Sequence, residues 1–233
     1  MQFFVAENKN VLYLRIIGVL LFSLSIILVF QAPKKVNRPL SNGLHSTVVA
    51  LELIENTKEL NDLMGSPETK KGKDIRRDFS LNTYIDFIFI LAYSFFYLIL
   101  AKLLHSKKTI TKTLYFALNF FIIVALVADY SENFIILRIL KESEIDRVAS
   151  LISPLNLVTY LKWNCLAIIS GIAGLGFVAA DLRFSASIFF QIFIFGIVGF
   201  FYRPFIEIQS IFLAISWMMC WYKSLPLKNA WWD

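Results

Sequence analysis

Six stretches of this chain are apolar over the length needed to cross a lipid bilayer, and they limit its fold more than any other feature. A spanning helix needs ~20 apolar residues to traverse a hydrocarbon core of ~30 Å. The composition agrees, because 58% of the 233 residues are hydrophobic and only 17% are charged. The sequence therefore predicts an all-α fold, a polytopic membrane helical bundle. The predicted spans are 11–31, 83–104, 112–139, 154–180, 184–202 and 205–223.

Three of these stretches allow a second interpretation. The first has the length of a signal peptide, but a cleavage site after Ala32 would place Phe30 where a small residue is preferred. We therefore expect an uncleaved transmembrane helix. The last two stretches are separated only by Arg203 and Pro204, so they form either a tight hairpin or one broken helix. Proline disfavours helical geometry in the residue before it, which favours a break.

The spans divide the chain into a core and an added hairpin. Residues 1–183 are predicted to form a four-span membrane core, and residues 184–233 a C-terminal transmembrane hairpin with an aromatic tail. The core contains one sizeable extramembrane segment, 32–82, whose first residues (Pro33 to Pro39) are predicted to leave the bilayer as extended chain.

The extramembrane segment is predicted to hold one amphipathic helix and a linker. Residues 46–64 place apolar side chains on one stripe and charged side chains opposite. Residues 65–67, Gly-Ser-Pro, then stop the helix, and residues 70–78 are predicted to be a charged, mobile linker. The apolar stripe is Val49, Leu53, Leu60 and Met64, and the opposite face carries Glu52, Glu55, Lys58, Glu59 and Asp62.

A second short helix is predicted over 143–152. Ser143 and Asp146 have the spacing of a capping box, which starts a helix. Ser153 and Pro154 then suit the N-cap and first position of the fourth span.

An even number of spans places both termini on one side of the membrane, here called side B, and the segment 32–82 on the other, side A. Short basic loops mark the cytoplasmic side. Side A has more basic residues in total, but acidic residues are interleaved with them. We therefore expect an integral membrane protein with cytoplasmic termini, in the inner or plasma membrane if the source is bacterial. The basic residues of side B are Lys102, Lys107, Lys108, Lys112, Arg183, Lys223 and Lys228.

Asp129 and Glu132 lie inside a stretch that otherwise has the composition of a spanning helix. A carboxylate at the middle of a membrane costs roughly 2.5–3.5 kcal/mol on insertion scales. Spacings of three and four residues place Asp129, Glu132 and Asn133 on one helix face. Ionisable residues at such depth usually face a bundle interior or a water-filled cavity. This pair is therefore the best pointer to a functional site.

Antiparallel pairing of the second and third spans brings further polar residues to the same depth. A hairpin that turns near Lys108 places Asp86 at the same membrane depth as Tyr130. The fourth and sixth spans start on side A, which adds one basic and one acidic residue to the same leaflet. We therefore predict a polar pocket that opens to side A and is closed by apolar side chains towards side B. The predicted ligand-binding residues are Asp86, Tyr93, Asp129, Glu132, Asn133, Lys162 and Glu207, with Lys162 as the counter-ion.

Several of these residues also have a structural explanation. Asp86 and Glu207 lie in the first turns of their spans, where a carboxylate suits the helix dipole. The long side chain of Lys162 can extend towards the head groups. Asp129 has neither option, which leaves a functional role or a buried ion pair.

Other chemistries have weaker support in the sequence. Bundle metal sites use Glu-x-x-His pairs, and the two histidines, His45 and His105, both fall outside the predicted pocket. Cys165 has no histidine near it to activate a thiolate, and a disulfide with Cys220 would have to join opposite membrane faces. No cofactor, metal ligand or catalytic residue is predicted. The net charge of +6 suits anionic lipid head groups rather than nucleic acid, so the expected partners are membrane lipids and a partner membrane subunit.

Small and aromatic residues form two further patterns. Small residues on the fourth and fifth spans allow close helix approach, and packing within the chain is their expected use. Aromatic residues near the C-terminus suit an interfacial anchor on side B. The small residues are Ala167, Ser170, Gly171, Gly174, Gly196 and Gly199, and the aromatic residues are Trp217, Trp221, Tyr222, Trp231 and Trp232.

Three short stretches, Ala50-Leu51-Glu52-Leu53, Asp86-Phe87-Ile88-Phe89-Ile90-Leu91-Ala92-Tyr93 and Asp129-Tyr130-Ser131-Glu132-Asn133, follow one another within residues 44–140. In their order and content they resemble a group of small, uncharacterised bacterial multi-pass membrane proteins. The resemblance implies a core of four spans with 184–223 as an added hairpin. It implies no activity.

The polar cluster without a recognisable nucleophile, metal triad or nucleotide loop favours binding over catalysis. Our hypothesis is that a small or lipidic ligand, or a partner helix, binds in the pocket without covalent chemistry. A proton- or cation-coupled transporter is one alternative, although only Asn119 and Gln191 would lead towards side B. A lipid-modifying enzyme with Asp86 and Glu132 as acid and base is another, and an accessory subunit is a third.

Overall fold

The computed structural model describes residues 9–34, 36–37 and 43–225, and within these ranges it is helical with no strand. Lys35, Arg38, Pro39, Lys228, Trp231 and Trp232, which entered the predictions above, lie outside the described residues. The helices are α1 Lys9–Gln31, α2 Thr47–Glu52, α3 Thr57–Met64, α4 Lys70–Ser106, α5 Lys112–Lys141, α6 Ile145–Ala179, α7 Arg183–Phe201 and α8 Pro204–Ser224.

Six of the described helices, all but α2 and α3, are long and apolar enough to cross a membrane. This confirms the predicted all-α, multi-pass membrane architecture. Each of α4 to α7 packs against the next helix in the chain, and α1 packs against α4 and, less extensively, against α8. The six long helices therefore form a closed ring in the order α1, α4, α5, α6, α7, α8.

The helices α7 and α8 form a tight hairpin rather than one broken helix. A Cβ added to Gly199 would lie 2.7 Å from Ile206, and one added to Gly196 would lie 2.5 Å from Ala167. Glycine is required there because no larger residue fits between the packed helices. The small-residue faces are thus used for packing within the chain, as expected.

Two predicted boundaries are wrong, because both helices extend beyond the membrane span. Residues 70–78 are the first turns of α4, where Thr69 caps Gly72 N–H and Ile75 is buried, not a mobile linker. The predicted helix 143–152 is the start of α6, which continues through Pro154. The buried stripe that includes Ile152 runs across the proline, so packing outweighs the missing hydrogen bond there.

The predicted amphipathic helix is two helices, α2 and α3. Asn56 accepts a hydrogen bond from Glu59 N–H and so starts a new helix after a break. Gly65, with a φ of 71°, ends α3 as the sequence predicted. The apolar stripe is confirmed, since all four of its side chains are buried: Val49, Leu53, Leu60 and Met64.

Candidate functional site

The ammonium group of Lys162 lies at the centre of a buried cluster of carboxylates. Its Nζ donates to Glu132 Oε1 at 2.8 Å and to Glu52 Oε2 at 3.0 Å, and lies 3.4 Å from Asp129 Oδ1. The side chain of Lys162 is only 5% exposed. The helices α2, α5 and α6 thus converge on one cation. Lys162, which the sequence predicts as the counter-ion to Asp129 or Glu132, lies within ion-pair distance of both.

The pairing of α4 with α5 brings three more of the predicted residues, Asp86, Tyr93 and Asn133, to the same place. Tyr93 donates from its hydroxyl to Asp129 Oδ2 at 2.7 Å, and Asn133 donates to Asp86 Oδ2 at 2.8 Å. Tyr130 donates to the carbonyl oxygen of Phe87 at 3.1 Å, close to the predicted depth match. Six of the seven predicted residues therefore form one cluster: Asp86, Tyr93, Asp129, Glu132, Asn133 and Lys162.

Glu207 lies apart from this cluster. Its Oε1 accepts hydrogen bonds from the backbone N–H groups of His45 and Ser46, which precede α2. Its Oε2 lies 3.5 Å from His45 Nδ1. Glu207, 14% exposed in the first turn of α8, thus lies near the side A end of the bundle, where it fixes the segment that leads into α2.

Sequence reasoning missed Glu52, which it placed on the solvent face of an amphipathic helix. Glu52 Oε2 also accepts from Trp163 Nε1 at 3.2 Å, and Thr159 donates to the Glu52 carbonyl oxygen at 3.2 Å. The flanking residues Leu51 and Leu53 are fully buried, and this apolar flanking was the available signal. Glu52 joins the extramembrane segment to the cluster inside the bundle.

The cluster carries more negative than positive groups. Its four carboxylates, Glu52, Asp86, Asp129 and Glu132, face a single lysine, which leaves a formal excess of three negative charges (4 − 1) if all are ionised. Within the described part of the chain, Glu132 Oε2 is buried without a hydrogen-bond partner. Uncompensated charge is costly inside a protein, so protons or a bound cation must neutralise part of this excess.

A cavity of about 230 Å³ adjoins the cluster. All helices of the ring except α7 contribute to its lining, and so does α2. This volume is somewhat below the roughly 300–1,000 Å³ of pockets for drug-sized ligands. The lining residues are Ser25, Leu28, Val29, Glu52, Asp86, Phe89, Tyr93, Asp129, Lys162, Trp163, Leu166, Ser210, Leu213, Ala214 and Trp217.

Aromatic side chains form the wall of the cavity towards side B. Trp217 stacks on Tyr93 with ring centroids 6.3 Å apart and also contacts Phe89 and Tyr97 edge-on. The prediction that Trp217 belongs to an interfacial anchor is therefore wrong, because its position on α8 turns it into the bundle. The hydroxyl of Tyr97 is buried close to Trp217 Nε1 and Ser170 Oγ, which are buried as well.

A second cation joins the extramembrane helices to the α7–α8 turn. Arg203 donates to Glu59 Oε2 at 3.1 Å and to the carbonyl oxygen of Leu53, and lies 3.4 Å from Glu55 Oε1. Burial disfavours the charge of this guanidinium, but the hydrogen bonds with Glu59 outweigh it and raise the pKa of Arg203. Arg203 thus holds α2 and α3 over the side A end of the bundle.

Neither the described histidines nor the cysteines belong to the cluster. His45 contacts Glu207, and His105 stacks on Tyr115. Cys165 and Cys220 are both free and buried. Over the ranges that the structure describes, no group of three or more His, Cys, Asp or Glu side chains is placed to hold a metal ion. The position where the carboxylates converge is taken by Lys162 instead.

Comparison with known proteins found no relative: no family model matches the chain, and neither curated proteins nor solved structures gave a match. Function must therefore be argued from the geometry of the cluster and its cavity.

Proposed function

We propose that this multi-pass membrane protein binds a small or lipidic ligand in the cavity beside Asp129, without covalent catalysis. The observation that carries the proposal is a cavity of about 230 Å³ lined by Glu52, Asp86, Asp129 and Lys162 within a bundle of spanning helices. Charged groups at such positions are expensive to maintain and commonly mark binding sites or ion pathways.

The composition of the cluster favours binding over catalysis. The carboxylates of Glu52, Asp129 and Glu132 are all held by Lys162, so none of them is a free acid or base. Neither the cluster nor the cavity lining includes a histidine or cysteine. The volume suits a head group or a small molecule better than a large substrate.

Native mass spectrometry after gentle extraction tests this proposal. We expect the wild-type protein to retain a bound molecule. The amount of that molecule should fall by about tenfold or more in Asp129→Asn and in Glu132→Gln. Each substitution keeps the shape of the side chain and removes its charge. Asp181→Asn is the matched control, because Asp181 is 85% exposed in the turn before α7. Unchanged co-purifying molecules and an unchanged cellular phenotype in both cluster variants would contradict the proposal.

A partner subunit is the other occupant that the same experiment detects. A membrane protein retained by the wild type and lost in both cluster variants would identify a partner helix, rather than a lipid, as the group that neutralises the cluster. The exposed apolar faces of the long helices do not discriminate between lipid and protein, since both cover such faces.

Proton-coupled transport is a second candidate, favoured by buried polar groups deeper than the cluster. Tyr97 Oη, Ser170 Oγ and Trp217 Nε1 continue from Tyr93 towards side B. Proton flux into proteoliposomes that is lost in Asp129→Asn and in Tyr97→Phe would support this candidate. Flux equal to that of empty liposomes would exclude it.

A further inference from the structure

The line along which α1 and α8 face each other, here called the seam, is closed at its side B end. A Cβ added to Gly18 would lie 2.7 Å from Trp221 Cδ1, so the two helices are in direct contact there. Arg15, one turn nearer the amino terminus, donates to the carbonyl oxygen of Ser224. Close packing and a polar bond together hold this end of the seam.

Towards side A the same seam opens into the cavity. Val29 of α1 lines the cavity and is 71% exposed on the outer surface of the bundle. In this half α1 bonds to α4 instead, where Asn82 donates to the carbonyl oxygen of Leu28 at 2.9 Å. The cavity wall formed by α1 and α8 therefore faces the hydrocarbon, while Glu52 of α2 lies on its aqueous side.

An apolar extension of the cavity follows the seam towards its closed end. A second space of about 100 Å³ is lined by α1 and α8 alone and shares Ser25, Ala214 and Trp217 with the first. Its remaining lining is apolar: Gly18, Leu21, Phe22, Met218 and Trp221. The combined space is acidic at one end and apolar at the other, which is the polarity of a lipid with a positively charged head.

The charge of the cluster selects the head group. Lys162 already makes contact with Glu52, Asp129 and Glu132, so Asp86, which lines the cavity, remains for a second cation. Aromatic rings such as those of Trp217 and Tyr93 attract an ammonium through their faces. An ammonium suits this site better than a metal ion, because no described set of ligands converges on a metal.

We infer that the cavity holds the ammonium-bearing head group of a membrane lipid, which enters from the hydrocarbon between α1 and α8 with its acyl chain along the seam. This inference rests on the proposed binding function and adds the ligand's chemical class and its route. The ammonium neutralises part of the carboxylate excess, and the acyl chain covers the apolar lining of the seam.

Lipid retention in nanodiscs tests the head group without altering the protein. The full chain is placed in phosphatidylglycerol nanodiscs that contain a minor fraction of phosphatidylethanolamine or of its N-acetylated form, which lacks the positive charge. Native mass spectrometry then measures the lipid that stays bound. We expect about tenfold higher retention of phosphatidylethanolamine, because a charge-assisted hydrogen bond is lost on acetylation.

Two variants test the route. Ala214→Phe fills the seam while keeping every charge of the cluster, and we expect about tenfold lower retention of phosphatidylethanolamine. Ile211→Phe, on the outer face of α8, is the matched control and should retain the lipid as the wild type does. A parallel sample with free ethanolamine separates a lipid from a water-soluble amine.

The outcomes are distinct. Equal retention of the two lipids overturns the ammonium assignment and leaves the proposed binding function standing. Binding of free ethanolamine without any retained lipid overturns the lipid source and the route. Full retention in Ala214→Phe overturns the route alone. A wild-type protein that retains neither lipid nor ethanolamine overturns this inference, and only an additional absence of any co-purifying molecule overturns the proposed function.

Discussion

Lys162 and Arg203 each bind carboxylates from the α2–α3 segment, but one lies inside the bundle and the other near its surface. The Lys162 side chain is 5% exposed, and its partners Glu52 and Glu132 are 13% and 1% exposed. Arg203 is 16% exposed, and its partners Glu59 and Glu55 are 17% and 56% exposed. The two sites therefore contain similar ion pairs in different surroundings.

The difference in burial between the two sites determines what each ion pair is suited to do. A surface ion pair contributes roughly 0–1 kcal/mol and serves mainly to orient the groups it joins. A buried ion pair is expensive to assemble and more expensive to break, because the remaining partner is left without compensation. Arg203 is thus suited to positioning α2 and α3. The Lys162 cluster instead carries an excess of negative charge that a bound cation can neutralise.

Removing Lys162 is expected to have the largest effect. In Lys162→Met the carboxylates lose their only cation within the cluster, and we expect the free energy of unfolding to fall by about 3–5 kcal/mol. Denaturant-induced unfolding in detergent micelles measures this change. Lys102→Met is the matched control, since Lys102 is exposed on α4 and its replacement should change stability little. Equal stability of the two variants would show that the carboxylates of the cluster do not depend on the charge of Lys162.

Combining that change with Glu132→Gln should restore part of the loss. The double variant removes one of the carboxylates that Lys162→Met leaves uncompensated, so about 1–2 kcal/mol should return through coupling between neighbouring groups. The same unfolding measurement applies. Adding Asp181→Asn to Lys162→Met should restore nothing, because Asp181 is 85% exposed and far from the cluster. Equal restoration by both second substitutions would argue against a local charge imbalance.

Arg203→Gln should have a smaller effect that depends on salt. Loss of its pairs with Glu55 and Glu59 should lower the free energy of unfolding by about 1 kcal/mol. Because these carboxylates are partly exposed, added salt should reduce the difference from the wild type. Arg183→Gln, on an exposed pair at side B, is the control. A loss as large as that in Lys162→Met would remove the contrast between the two sites.

Much of the fold could be predicted because its main determinant is local. Runs of apolar residues fix the six long helices, and the length of each run decides whether it spans. Residues 70–78 were mispredicted because charge suggested mobility, whereas the cap at Thr69 and the burial of Ile75 extend the helix. The local sequence predicts a helix start at Pro154, because the packing that keeps Pro154 inside α6 comes from distant residues.

The candidate site, like the fold, could be predicted from the sequence only in part. Asp86, Tyr93 and Asp129 could be brought together in advance because a short hairpin joins α4 and α5 and sets their relative depth. Glu52 was missed, since its contact with Lys162 spans 110 residues and no local pattern encodes it. Contacts between sequence-distant elements depend on the angles at which helices pack, which periodicity does not supply.

The smallest effect is expected for Glu207→Gln, which tests whether depth truly separates the two kinds of site. Glutamine keeps an oxygen that accepts from the N–H groups of His45 and Ser46, so the free energy of unfolding should change by about 0.5 kcal/mol or less. Hydrogen exchange at the Ser46 amide should rise only slightly, and Glu207→Ala, which lacks the acceptor, should raise it further. Lipid retention should match the wild type in both variants. A loss of retention like that in Asp129→Asn would instead place Glu207 within the binding site.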